Sequence, residues 1–270
     1  MKPWSAKLPL LSGRALAGVG AGALVGSFYI GTGDIAIATK MGALFGMDMW
    51  WTFFVLGLAG WTLMDMSARY YLRFGRTPLS IFKEVHPVFS IYLFVTVVVT
   101  TIIGAYSQWN TCAHVLSTLN PGIPTEVGGA LAGLAATALL VLGVYRRIEL
   151  FFVFALILLI GLFALAAVAA DAPWSAAAAG LIPSIPGSES DRTEWLGLIQ
   201  KNAGSMINAW LILIYPYTMI EKGWRSSKPL GQARILQRAR WDYGVGIAAA
   251  GIVALPVMAA AAAVARPFGI

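Results

Sequence analysis

Apolar residues fall into seven long runs separated by short polar clusters, near 15–45, 49–68, 88–112, 127–145, 149–170, 196–221 and 243–265. A helix needs about 20 apolar residues to cross a bilayer, so this pattern predicts about seven membrane-spanning helices joined by short loops. Two runs depart from a plain span. The first is too long for one upright crossing and carries Gly31-Thr32-Gly33-Asp34 in its middle. The sixth carries Tyr215-Pro216-Tyr217-Thr218. Proline removes a helical hydrogen bond and crowds the preceding turn, and a Gly-Thr-Gly stretch has low helix propensity. Both segments are therefore expected to be helix breaks. Irregular backbone at membrane depth is tolerated where it is buried in protein or lines a cavity. A pair of interrupted helices at corresponding positions of two repeats points to a transporter's binding site.

Composition agrees with this reading. Of the 270 residues, 59% are hydrophobic and 11% charged, too few charges to cover a water-soluble fold of this size. The net charge of +7 is explained by placement. Fifteen of the 19 Lys and Arg residues fall on one side of the predicted spans, and Lys40, Arg192, Lys201 and Arg266 on the other. The positive-inside rule then puts the N-terminus in the cytoplasm, without any role for nucleic acid. Lys2, Lys7 and Arg14 resemble a signal-peptide n-region, but the apolar stretch after them is too long for a cleaved segment. A multi-pass protein of a bacterial inner membrane is the expected setting. The single cysteine, Cys112, excludes disulfide scaffolds and thiolate zinc sites. The chain has no HExxH or GxSxG motif and no paired catalytic carboxylates, so no enzyme is expected.

Several motifs, in order and spacing, resemble the Nramp divalent-metal transporter family. Gly31-Thr32-Gly33-Asp34 stands where that family has Asp-Pro-Gly-Asn, and Gly42-Ala43-Leu44-Phe45-Gly46 matches its Gly-Ala-x-Phe-Gly. Ala68-Arg69 with Gly75-Arg76-Thr77, Tyr145-Arg146-Arg147-Ile148-Glu149, and Gly180-Leu181-Ile182-Pro183-Ser184-Ile185-Pro186 are similar to later family motifs. Pro216 takes the place of the proline in the family's Met-Pro-His-Asn. The resemblance implies a LeuT-type fold of two inverted five-helix repeats, with the ion at the midplane between the first and sixth helices. On this chain it implies a first repeat over 15–170 and the first two helices of a second over 196–265, the later helices being absent.

The departures shape the expected chemistry. Aligned on the motifs, the family's ligand positions are Gly31, Asp34 and Tyr215, and the residues after the proline are Tyr217 and Thr218. Loss of the family's methionine removes the soft ligand that favours manganese or iron over hard cations. Asp34 is the expected charged ligand. Backbone near Gly31, Thr32 and Tyr215, with the Thr32 and Thr218 hydroxyls, is expected to complete the shell. A single carboxylate without sulfur suits an ion that keeps several waters, as magnesium does, and the transported cation is expected to be magnesium or manganese, with no resident cofactor. Where the family has an Asp and a Glu on the third helix, this chain has Val98 and Thr101, and no acidic residue lies between Glu84 and Glu126. A proton relay along that helix is therefore not expected, which resembles a divergent branch of the family. Three other readings stand beside the metal carrier. One is a LeuT-type carrier of an amine or amino acid, with Tyr29, Tyr215 and Tyr217 around Asp34. Another is a non-transporting fragment. The third is an Asp34 paired with Lys40 or with backbone for structural reasons alone.

Further polar residues have local expectations. Asp65 precedes Arg69 by one turn, an i,i+4 ion pair. Asn202, Ser205 and Asn208 recur at three-residue spacing, either lining an outer vestibule or bonding a neighbouring helix. Lys222 is expected to snorkel to the interface or to line an inner vestibule, and His86 and His114 to be structural or surface residues. The tryptophans near helix ends read as an interfacial belt.

Overall fold

The computed structural model describes residues 31–142, 145–225 and 228–264. Its helices are α1 (Thr32–Phe45), α2 (Trp51–Phe74), α3 (Pro78–Val85), α4 (Pro87–Leu119), α5 (Thr125–Leu142), α6 (Tyr145–Ala169), α7 (Ser175–Ala179), α8 (Glu189–Met206), α9 (Ala209–Glu221) and α10 (Pro229–Val264). No strand occurs among the described residues. Among the described residues three segments, against the seven runs expected, are long and apolar enough to cross a membrane: Pro87–Leu119, Glu189–Ile220 and Pro229–Val264. The expected helical stretch 15–30 lies outside the described residues.

Local chemistry sets the ends. Proline at the first position starts α3 and α4, where its missing N–H leaves no helical bond unmade. His86, expected to be a structural or surface residue, is exposed and caps α4 by accepting the Val88 N–H on Nδ1 at 3.2 Å. Gly75 closes α2 at φ 66°, a left-handed turn that glycine enters without a Cβ clash. Ser188 caps α8 by accepting the Asp191 N–H.

Helix α10 is the central post, packed against α1, α2 and α6. Helices α8 and α9 lie on α2, α8 also touches α1, and α4 forms a hairpin with α5. The α1–α10 approach is close because Gly42 has no side chain. A Cβ there would lie 2.8 Å from the Met258 Cα and 2.9 Å from the Ala261 Cβ. The core shared by α1, α2, α8, α9 and α10 includes Met41, Met64, Met206, Met219, Tyr243 and Met258. Unbranched methionines fill the irregular gaps between crossing helices. Trp50, expected in the interfacial belt, donates Nε1–H to the Gly251 carbonyl at 3.1 Å and ties α2 to α10.

Two expectations about helix ends are corrected. The seventh run was expected to begin at 243, but α10 begins at Pro229. Hydropathy marks the part that enters lipid, whereas the basic stretch before it is also helical and packs back on α2: Gln232 Nε2–H donates to the Leu72 carbonyl at 2.9 Å. The sixth run was expected to break at Tyr215–Thr218. Instead α9 runs helically through Pro216, and the interruption falls at Ile207–Asn208. The Asn208 side chain starts the new helix by accepting the Trp210 and Leu211 N–H groups at 3.0 and 3.3 Å. Downstream, the Ile212 carbonyl, which Pro216 has no N–H to reach, accepts the Ser67 hydroxyl of α2 at 2.7 Å. With that bond supplied from a neighbour, proline does not end the helix.

Candidate metal site

Asp34 sits in the first turn of α1, after an extended Gly31 at φ −86° and ψ 170°. Its Oδ2 accepts the Gly31 N–H at 2.7 Å, and Oδ1 accepts the hydroxyl of Ser205 from α8. A carboxylate at this end of a helix is favoured by the helix dipole. A Cβ built on Gly31 would come within 3.2 Å of both Asp34 Oδ2 and Gln108 Nε2, so the Gln108 amide of α4 belongs to the same neighbourhood. Ile35, Ala38, Phe53, Ala250, Val253, Ala254 and Val257 line a cavity of about 10 Å³ beside the carboxylate, enough for about one water. None of these lining residues carries sulfur. Among the described residues no three His, Cys, Asp or Glu side chains gather into a metal-binding group. A cation at this place would meet one carboxylate and neutral oxygens.

The predicted site residues do not all converge. Asp34 and Gly31 are adjacent, as expected. The Gly31 carbonyl, however, is not loose, because it accepts the Asp34 and Ile35 N–H groups at 3.1 and 3.2 Å. Thr32 opens α1, and its side chain lies outside the described residues. Among the described residues no hydrogen bond joins Tyr215 or Thr218 to Asp34. The Thr218 hydroxyl donates to the Tyr215 carbonyl at 2.7 Å, and the Tyr215 hydroxyl is directed to Asp242 at 3.1 Å. Tyr217 is hydrogen-bonded to Thr77 at 3.0 Å. The aromatic-walled pocket for an amine is therefore not assembled from Tyr215 and Tyr217, and Tyr29 lies outside the described residues. Of the two structural pairings expected for Asp34, the one to backbone is present in the Gly31 N–H contact, whereas Lys40 does not pair with it; its Nζ is 2.5 Å from Glu194 of α8, on the exposed surface.

The polar stripe of α8 and α9 divides into three roles. Asn202 is buried and donates to the Thr52 hydroxyl at 2.9 Å, a helix–helix bond rather than a vestibule lining. Ser205 holds Asp34, and Asn208 caps α9. The spacing marked these residues but not their partners. A pocket of about 380 Å³ between α1 and α8 carries Asp48, Asp191 and Glu194 in its walls.

A second polar centre lies between α2, α9 and α10. Asp65 pairs with Arg69 at 2.5 Å, as its spacing predicted. It also takes Arg240 Nε–H at 2.8 Å and the Tyr243 hydroxyl at 2.7 Å. Beside it, Asp242 is 1% exposed and accepts Lys222 Nζ at 2.8 Å. Lys222 is thus half of a buried ion pair rather than an interfacial anchor. Sequence reasoning missed Asp242 because it adjoins a basic stretch at the edge of an apolar run, where an acid reads as a surface residue.

The family model described as natural resistance-associated macrophage protein-like matches residues 22–270. Among solved structures, the chain is similar to the Eremococcus coleocola manganese transporter in complex with an aromatic bis-isothiourea substituted compound, at 18% identity and a TM-score of 0.71. Two point mutants of the same transporter match at 19% identity and a TM-score of 0.71. Each match covers 96% of this chain and 54% of the other, so the chain spans about half the length of these transporters. No curated protein matches. The shared fold is the all-helical LeuT-type arrangement of these transporters. With the family model running over nearly the whole chain on this all-helical membrane fold, the protein belongs to the natural resistance-associated macrophage protein-like (Nramp) family.

Proposed function

We propose that the protein moves a divalent metal cation across the cytoplasmic membrane by alternating access, with Asp34 as the charged ligand. The observation that carries this reading is the position of that carboxylate. It stands at the start of α1, clasped by Ser205 of α8, and so between the leading helices of the two repeats. An ionised Asp inside a membrane costs about 2.5–3.5 kcal/mol even on insertion scales, so it is retained where an ion, a partner or water meets it. Gly31 and Thr32 remain in the proposed site, and Ser205 and Gln108 join it. Tyr215 and Thr218 enter it only if α9 turns during the cycle. The donors are all oxygen or amide, which supports a hard cation that keeps part of its water shell, magnesium before manganese.

The absence of Asp and Glu between Glu84 and Glu126 supports transport without a proton relay along α4. The distribution of Lys and Arg supports a cytoplasmic N-terminus. The repeats are assigned to 15–170 and 196–265. Magnesium and manganese uptake into proteoliposomes tests the reading. Asp34→Ala is expected to reduce uptake at least about tenfold, as loss of a charge-assisted contact of about 1.5–3 kcal/mol implies. Undiminished uptake by that variant removes Asp34 from the pathway.

A further inference from the structure

Asp242, like Asp65, is a buried carboxylate, and transport through Asp34 alone leaves it without a task. It lies on α10, eight residues before Ala250, the first α10 residue lining the Asp34 cavity. At 1.5 Å per residue this is about 12 Å along the helix axis, toward Arg234, Arg238 and Arg240 and hence toward the cytoplasmic end. Its two oxygens are unequal. Oδ2 accepts Lys222 Nζ at 2.8 Å and the Tyr215 hydroxyl at 3.1 Å. Oδ1 is buried with no hydrogen-bond partner. The Tyr215 hydroxyl is also 3.3 Å from the Ala239 carbonyl. A carboxylate, a phenol oxygen and a main-chain carbonyl thus converge on one place, which is the donor set of a hard cation. The positive charge there is an ammonium.

That ammonium is placed to leave. Lys222 follows the last turn of α9, and its side chain is 17% exposed against 1% for Asp242. While paired with Asp242, its Nζ also lies 4.7 Å from the centre of the Trp224 ring, a face that stabilises an ammonium independently of the carboxylate. A bridge kept for stability alone gains nothing from an orphaned oxygen, since a buried ion pair is commonly replaceable by apolar residues. We propose that Asp242, Tyr215 and the Ala239 carbonyl form an inner cation station on the cytoplasmic side of Asp34. In this conformation the Lys222 ammonium occupies the station, and a divalent cation displaces it toward Trp224. The assignment of this station to the transport path rests on the carrier reading, whereas its capacity to bind a cation does not.

The binding test is therefore made with Asp34 removed. Manganese(II) is titrated into the purified full chain in detergent, with free ion followed by electron paramagnetic resonance. The combined Asp34→Asn and Lys222→Gln variant is expected to bind one ion at least about tenfold more tightly than Asp34→Asn alone. Adding Asp242→Asn is expected to abolish the gain. A folded double variant with no gain, or a gain that survives Asp242→Asn, overturns the proposal. A second measurement keeps Lys222 in place, in case its replacement prevents folding. In the Asp34→Asn chain, manganese is expected to raise the rate at which an amine-reactive reagent labels Lys222, read by mass spectrometry. A labelling rate unmoved by saturating manganese overturns it equally.

Discussion

Replacing Ser67 with alanine tests how α9 stays helical through Pro216. Pro216 cannot donate to the Ile212 carbonyl, and the Ser67 hydroxyl takes that place at 2.7 Å. Ser67 is itself 7% exposed, so water is a poor substitute once the hydroxyl is gone. A buried acceptor left without a donor costs about 1–3 kcal/mol. Hydrogen bonds between membrane helices measured by double-mutant cycles average about 0.6 kcal/mol and reach about 1.7 kcal/mol. Ser67→Ala is therefore expected to destabilise the protein by about 1 kcal/mol. In a Pro216→Ala background the new N–H reaches Ile212 itself, and the same serine replacement is expected to cost almost nothing. Denaturation of the four proteins of the cycle in detergent, followed by circular dichroism, gives the coupling directly. If Ser67→Ala is equally destabilising with and without the proline, the hydroxyl is not the substitute donor and the explanation fails.

Further predictions concern the helix contacts around the site. Asp65→Ala strands Arg240, Arg69 and the Tyr243 hydroxyl; because both guanidinium groups reach solvent, the expected loss is about 1–3 kcal/mol rather than that of a fully buried pair. An unchanged Tm would contradict it. Gly42→Ala puts a Cβ into the Met258 backbone, so α1 and α10 must separate. A lowered Tm is expected, on the scale of overpacking in a filled core, about 1–3 kcal/mol. Lys40→Ala, by contrast, breaks an exposed bridge to Glu194, and exposed pairs contribute little. Its Tm is expected to match the parent's at both low and high salt, and a salt-dependent difference would show that this bridge does matter to stability.

The sequence by itself determined what depends on neighbouring positions. Apolar run length gave an all-helical membrane chain, because crossing a bilayer is a matter of consecutive residues, and three of the seven runs are spans by length and hydropathy among the described residues. Lys and Arg placement gave the expected sidedness. The Asp65–Arg69 pair was legible because its partners lie within one turn. Pro216 misled for the same reason. A proline is a local break signal, and the donor that cancels it stands on α2, 145 residues from the Ile212 carbonyl it reaches. Only the tertiary structure could decide that the interruption falls at Asn208, that Ser205 rather than Tyr215 meets Asp34, and that Lys222 is drawn onto a buried Asp242. These contacts join side chains on different helices, and their geometry is set by how closely α1, α8, α9 and α10 pack. Hydropathy and spacing carry no record of that packing, because the glycine and alanine surfaces that allow it read along the chain as ordinary apolar helix.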